Sequence, residues 1–456
     1  MVRARIAREV VRHGYERTLQ AYDRTLVAPA TFPAAAFPPP PFSDRLTRPR
    51  CMDAATRRWR AALFLFMLAA GTGMASWVAR TPAVRDGLDV STGAMGLVLF
   101  GLSTGSMAGV MASGPLVRRH GGRTTILGGV ALIVAGMLVV AAGTALSLAP
   151  VVFAGLALFG GGMGMSEVAF NIEGAAVESV IGRPVLPVLH GCFSLGTVVG
   201  ALLGMALTAA AFPVGWHLTL VAGLIAAAGT RSVLAIPPGT GKDDAPAADS
   251  GKGGLRGQLH VWRDRQLVLI GVIVLAMAFA EGAANDWLPL LMVDGYDVSP
   301  TAGSLTFLVF AASMTLGRLA GGPFLERFGR ALVVRISGLT AALGLAVVIV
   351  APSPLMAGAA TVLWGLGASL GFPVTVSAAG DHPTDAAARV AAVSTAGYGA
   401  FLVGPPALGF LADHIGLRLT MTVVLALVAV AALLAGALGP GRASDAAGTE
   451  AAPVAP

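Results

Sequence analysis

DGLDVS at Asp86–Ser91 returns as DGYDVS at Asp294–Ser299, and GPLVRRHGGR at Gly114–Arg123 returns as GPFLERFGRA at Gly322–Ala331. Both pairs stand 208 positions apart. The first string follows the opening apolar stretch of its half, and the second follows the next apolar stretch. Self-similarity at one fixed spacing is the mark of a repeated architecture. Two separate matches at a single offset therefore indicate duplication of a large unit.

Working outward from the repeat, twelve apolar stretches appear, each with the roughly 20 residues that cross a bilayer as a helix. They run 60–79, 92–113, 124–144, 149–171, 186–209, 213–235, 266–290, 300–320, 331–351, 354–377, 387–411 and 417–438. The sequence thus predicts an all-α membrane protein, with twelve transmembrane helices in two pseudo-symmetric six-helix bundles. The expected division begins with a basic, proline-containing, disordered N-terminal extension over 1–58. An N-terminal bundle over 59–238 follows, then a cytoplasmic linker over 239–262, a C-terminal bundle over 263–438 and a disordered tail over 439–456.

Composition agrees with the span count. Of 456 residues, 55% are hydrophobic, 12% are charged and 60 are glycine. A soluble domain carries roughly 25% charged residues, so half of the usual solubilising charge is missing. Glycine and alanine fill the apolar stretches, as required where helices approach closely in lipid. The two cysteines, Cys51 and Cys192, are too few and too far apart for a disulfide framework or a thiolate metal site. No Walker phosphate loop, His-Glu-x-x-His pair or dinucleotide fingerprint occurs, so neither an enzyme nor a cofactor is expected.

The net charge of +7 belongs to one place. Residues 1–60 hold twelve arginines against five acids, and the rest of the chain is neutral. No basic domain exists for nucleic acid. Of the nineteen basic residues after position 60, only Arg80, Arg85 and Arg418 fall on the side opposite the termini. Basic residues concentrate on the cytoplasmic side of membrane proteins, so both termini are expected inside, with the chain in the cytoplasmic (inner) membrane. From Met52 the chain reads MDAATRRWRAALFLF, a short basic lead into the first span. Residues 1–51, Arg-rich and with the run AAAFPPPPF at Ala34–Phe42, are accordingly read as an extension upstream of the membrane domain's own start.

The string Gly-x-x-x-acid-Arg-x-Gly-Arg after the second span of each half resembles the signature of the major facilitator superfamily. The C-half copy has Gly322, Glu326, Arg327, Gly329 and Arg330. The N-half copy keeps Gly114, Arg119, Gly121 and Arg123, with Arg118 in the place of the family's usual Asp and Gly122 where a basic residue is common. These nine residues are the gating-loop candidates, because charges in a tight turn can latch neighbouring helix ends; plain positive-inside topology is the alternative. SEVAFN in the fourth span, HGCFSLGT opening the fifth and EGAANDW in the seventh resemble inner-membrane permeases related to the fucose-permease type. WGLGASLGFP in the tenth and GPPALGFLADHIGLR in the eleventh and beyond extend that resemblance. The fourth span lacks a basic residue before its glycines and the fifth lacks Gly-Pro, both usual in drug–proton antiporters of the superfamily. Uptake is favoured over export on that ground.

Charged groups inside a span are costly and are functional candidates by default. Glu167 in the fourth span and Glu281 in the seventh each precede an asparagine by four residues, Asn171 and Asn285. That spacing sets acid and amide on one helix face, and the resemblance implies that spans 1, 4, 7 and 10 line the cavity. The span limits put Glu167 toward the cytoplasmic end and Glu281 in the outer half, too far apart to share a proton. Asp286, His190 at the opening of the fifth span and Trp364 at mid-depth of the tenth complete the proton-coupling or substrate-binding set. Each has a structural alternative: a helix-tying acid, a helix-end histidine, a packed indole. Trp287 is read as an interfacial anchor, Arg80 as snorkelling to the interface, and Arg318, near the inner end of the eighth span, as either snorkelling or anion-binding.

The expected function is secondary active transport of a small polar, sugar-like solute by alternating access, with proton-coupled uptake driven through Glu281, and with Glu167 as the second candidate. The rivals are proton-antiport efflux of an amphipathic compound and a membrane sensor or scaffold that binds solute without moving it. The expected partners are the solute, protons and the bilayer, for a monomeric protein with no nucleic-acid partner.

Overall fold

The computed structural model describes residues 53–183, 185–242, 260–381 and 386–439. Nearly all of the N-terminal extension, most of the linker and nearly all of the tail lie outside these described residues, as does the reading of Met52 as a start. The described residues form one compact unit.

Ten helices are long and apolar enough to cross a membrane. Two of them run for about fifty residues and break at a glycine of non-helical conformation, Gly329 (φ 72°, ψ 165°) and Gly416 (φ 77°, ψ 155°). Divided there, the described chain has twelve spans. They are α1 (Ala54–Val78), α2 (Thr92–His120), α3 (Gly122–Ala145), α4 (Ala149–Ile181), α5 (Leu186–Ala209) and α6 (Val214–Ala235). The second half has α7 (Arg265–Tyr296), α8 (300–328), α9 (330–350), α10 (Pro354–Ala379), α11 (386–415) and α12 (417–434).

The repeat has a local cause. Asp89 and Asp297 both adopt the left-handed region at φ 52°, and Ser91 and Ser299 two residues later both cap the next helix. Ser91 accepts from Ala94 N–H at 3.2 Å and Ser299 from Ala302 N–H at 3.3 Å. A serine oxygen at that position satisfies one of the orphaned first-turn donors. DGLDVS and DGYDVS are thus the same turn-and-cap, built twice.

Several helices outrun their apolar windows. The fourth span was expected to end at 171 and the seventh at 290, yet α4 continues to Ile181 and α7 to Tyr296. The backbone ladder stops where a residue takes the left-handed conformation, Gly182 and Asp297, and not where hydrophobicity fades. At the other margin, α1 begins at Ala54 because Asp53 caps it, accepting from Thr56 N–H at 2.8 Å. Residues 54–58, assigned by sequence to the extension, therefore belong to the first helix.

Glycines set the packing. A Cβ at Gly160 would lie 2.0 Å from the Leu102 carbonyl of α2, and one at Gly162 would lie 2.5 Å from the Gly129 carbonyl of α3. The glycine run of α4 therefore lets two backbones approach from two sides. Within the halves α4 packs on α2 and α3, α1 on α5 and α6, and α7 on α8 and α11. Between the halves α2 meets α11 and α5 meets α8. Large apolar side chains such as Leu220, Leu234, Leu355 and Leu433 point outward and are largely exposed, the surface that a lipid solvent requires.

The two ends of the bundle differ in their chain connections. The linker end holds the start of α1, the α2–α3 and α8–α9 turns and the linker residues Gly239–Lys242; the far end holds the α1–α2, α7–α8 and α11–α12 connections. At the linker end Asp264 caps α7 and pairs with Arg389 of α11. Partial burial works to raise the Asp264 carboxyl, but the hydrogen bonds from Arg389 and the Gln266 N–H outweigh it and hold it below the usual carboxylate range.

Candidate functional site

A set of polar side chains gathers at mid-depth between the halves. Glu167 lies eighteen residues from the start of α4 and fourteen from its end; Glu281 lies sixteen from the start of α7 and fifteen from its end. Both acids are therefore central, which corrects the expectation of different depths. That expectation failed because each helix is longer than its apolar window. The two carboxyls are close enough for their charges to act on each other, and Glu167 acts likewise on Tyr398 of α11.

The two acids have different company. Arg318 of α8 donates from one terminal nitrogen to both oxygens of Glu281 at 2.8 Å, and its Nε donates to the Ser369 carbonyl of α10 at 3.3 Å. Three helices of the C half are thus tied through one guanidinium. Neither snorkelling nor a free anion site describes Arg318, since α8 continues to residue 328 and leaves it ten residues inside the helix. A span ended at 320 hid that depth. Glu167 is exposed at mid-helix within charge range of Glu281, and has no hydrogen-bond or ionic partner among the described residues. That combination is what a side chain lining an internal cavity shows.

Asn171 and Asn285 sit one turn beyond their acids, half-buried, with no side-chain hydrogen bond among the described residues. Their amides are free for a solute. Asp286 is half-buried and likewise without a partner among the described residues. His190, exposed at the start of α5, lies within reach of the Arg318 charge and so borders the same space from the linker end.

Two aromatic candidates are elsewhere. Trp364 is fully buried, donates to the Ala280 carbonyl at 3.2 Å and meets Phe310 edge-on at 5.6 Å, so it packs α10 on α7 and offers no face to a solute in this conformation. Trp287 is also fully buried, and a Cβ at Gly409 would touch its ring at 3.1 Å. It wedges α7 against α11, nine residues inside α7, and is not an interfacial anchor. Arg80 does not snorkel either. It is 3% exposed and donates to His217 Nδ1 at 3.0 Å and to the Phe212 carbonyl at 2.8 Å, pinning α1 to the α5–α6 hairpin.

The gating-loop candidates divide unevenly. Gly121 and Gly329 supply the left-handed turns (φ 85° and 72°). Arg119, Glu326 and Arg327 are exposed, Arg327 lying over the Phe328 ring at 5.3 Å, and Arg123 is half-buried. Gly114 and Gly322 lie within helices, with no backbone crowding the place of a Cβ. Only Arg330 of the nine makes an ion pair among the described residues, with Asp381 at the end of α10.

Access is asymmetric. At the far end Arg85 pairs with Asp294, Asp413 accepts from Ser91 and Gly93, and Ser304 donates to the Ala79 carbonyl at 2.9 Å. Ser103 reaches the Phe401 carbonyl at 2.7 Å and Thr315 the Ser194 carbonyl at 3.2 Å, both near mid-depth. Among the described residues no hydrogen bond or ion pair joins the halves at the linker end. A depression at the far end is bounded by Thr92, Asp294 and Arg418 and by none of the central polar groups.

Comparison with known proteins matches this architecture. The family model of the Major Facilitator Superfamily matches residues 188–399 and 287–455. An uncharacterized MFS-type transporter of Yersinia pestis is 31% identical, the alignment covering 82% of this chain and 93% of that one. The chain is a member of the major facilitator superfamily. It is a multi-pass membrane transporter and not an enzyme. Among solved structures, a nucleoside transporter superposes on this superfamily member with a TM-score of 0.70 at 14% identity, over 85% of this chain and all of that one. The fucose:proton symporter of E. coli superposes at 0.60 and 16% identity, over 85% of this chain and all of that one. At such identity these two neighbours show the fold alone.

Proposed function

We propose that this transporter takes up a small polar solute, of the sugar or nucleoside kind, together with protons, by alternating access to the mid-depth site. The observation that carries the reading is the contrast between the two central acids. Glu281 is held as the ionic partner of Arg318, whereas Glu167 faces the cavity with no cation beside it among the described residues. An uncompensated carboxylate at the centre of a membrane is expensive, so Glu167 is the acid that takes and releases a proton as access alternates. The Asn171 and Asn285 amides then bind solute hydroxyls, each adding a directional hydrogen bond in a site of low dielectric. The structural neighbours, a nucleoside transporter and a fucose:proton symporter, support both the solute class and the coupling.

The linker end is the cytoplasmic face in this reading, because the basic residues collect there, and the conformation is the one opened toward the cytoplasm. The membrane is the cytoplasmic membrane and the transporter acts as a monomer. The test uses purified full-length protein in proteoliposomes, with a library of sugars and nucleosides screened by counterflow. Glu167→Gln is expected to keep counterflow and lose proton-driven accumulation. Accumulation that persists in Glu167→Gln rejects the coupling. An inward proton gradient that drives the solute out of the vesicles identifies antiport efflux instead, and binding without counterflow identifies a sensor.

A further inference from the structure

The spacing that marks the α2–α3 and α8–α9 turns occurs a third time, at the opposite end of the bundle. Gly114, Arg118 and Gly121 stand at the end of α2, and Gly322, Glu326 and Gly329 at the end of α8; Gly409, Asp413 and Gly416 repeat the interval at the end of α11. The backbone repeats as well. Gly121, Gly329 and Gly416 have φ of 85°, 72° and 77° with ψ of 160°, 165° and 155°. Positive φ with extended ψ is open to glycine and strained for other residues, so the three turns are one device used at two ends.

Among the described residues, only the far-end copy bonds across the halves. Asp413 lies over the first turn of α2, in the other half, where it accepts from the Ser91 hydroxyl at 3.0 Å and the Gly93 N–H at 2.9 Å. Gly93 N–H is one of the first-turn donors left without an intrahelical partner, and a carboxylate there also meets the positive end of the helix dipole. The approach needs small residues. A Cβ at Gly93 would lie 2.3 Å from Asp413 Oδ2, one at Gly96 2.7 Å from the Pro405 carbonyl, and one at Gly409 3.0 Å from the Thr92 carbonyl. α2 and α11 run antiparallel, so the corresponding position at their linker end is the C-terminal turn of α2. There Arg118 occupies the acid's place, and a guanidinium accepts no N–H. Along one pair of helices the far end carries a latch and the linker end does not.

We propose that Asp413 is the latch of the far gate: its hold on the α2 N-terminus keeps the far end shut, and its release is the step that admits solute from that side. With Arg118 in the matching place, the unloaded transporter rests open to the linker end. This rests on alternating access but not on the solute or on Glu167, so a resting-state measurement separates the two. Spin labels at Leu146 and Leu355, both exposed near the far end, in a Cys51→Ser/Cys192→Ser background and in lipid nanodiscs without solute, report the far-end separation by double electron–electron resonance.

Loss of a charge-assisted bond shifts an equilibrium by roughly tenfold or more. Asp413→Asn is therefore expected to add a longer-distance population at least about tenfold larger relative to the closed one. Ser91→Ala, which keeps the Gly93 contact, should shift it the same way by a smaller factor. An unchanged distribution in folded Asp413→Asn overturns the latch. Should that variant fail to reach the membrane, an unchanged distribution in Ser91→Ala overturns it instead.

Discussion

Arg330 and Asp381 form an ion pair at the linker end of the C half, 34% and 64% exposed. The residues 208 positions earlier are Gly122 and Glu173. The acid has survived in both halves and its basic partner in only one. Glu173 is fully buried. Trp59 and Thr240 face its carboxyl, yet neither oxygen meets a donor in hydrogen-bond geometry. Gly122 lies against it, so close that a Cβ there would stand 2.3 Å from Oε1, and Gly122 N–H donates to the Thr240 carbonyl at 2.8 Å. The start of the linker thus closes over the N-half acid, where the C half has an exposed arginine. A duplicated position keeps its place in the fold while the physics that neutralises it changes.

The comparison breaks most readily at Gly122. Installing the C-half residue by Gly122→Arg must displace Glu173 or the linker strand. Overpacking of this kind costs roughly 1–3 kcal/mol, so a clear fall in melting temperature in detergent is expected. A variant as stable as the parent would mean that the two halves are interchangeable here after all. Glu173→Gln probes the acid itself. Replacing a buried, unpartnered charge relieves its desolvation, and a gain of about 1 kcal/mol is expected from thermal unfolding; a loss would assign the carboxylate a role in holding the linker. Asp381→Asn, the matching change in the C half, removes an exposed ion pair worth at most about 1 kcal/mol. The smallest effect is expected there, with transport rates unchanged.

Much of the fold was legible in the residues because the repeat strings are themselves structural devices. Asp89 with Ser91, and Asp297 with Ser299, encode a left-handed turn and a helix cap, which act locally and so leave a readable trace. Glu167, Glu281 and their asparagines were visible for a related reason, since polar groups in apolar runs carry a cost that demands a use. The depth of the two acids was not legible, because an apolar window shows where lipid begins and not where the backbone ladder ends. The depth of Arg318 is hidden on the same account, since α8 outruns its apolar window. The third copy of the loop spacing, at Gly409, Asp413 and Gly416, is present in the sequence but falls at the end of the bundle that does not carry the family signature.

By itself the sequence determined that this is a duplicated twelve-span membrane protein with charge sorted by side, because period, hydropathy and capping are properties of neighbouring residues. Tertiary structure alone decided which acid stands free and which is paired, and which end of the bundle is shut. Those outcomes depend on residues 37 positions apart for Glu281 and Arg318, and 320 apart for Gly93 and Asp413. Only helix packing, within the C half for Glu281 and Arg318 and between the halves for Gly93 and Asp413, brings such partners within hydrogen-bond reach.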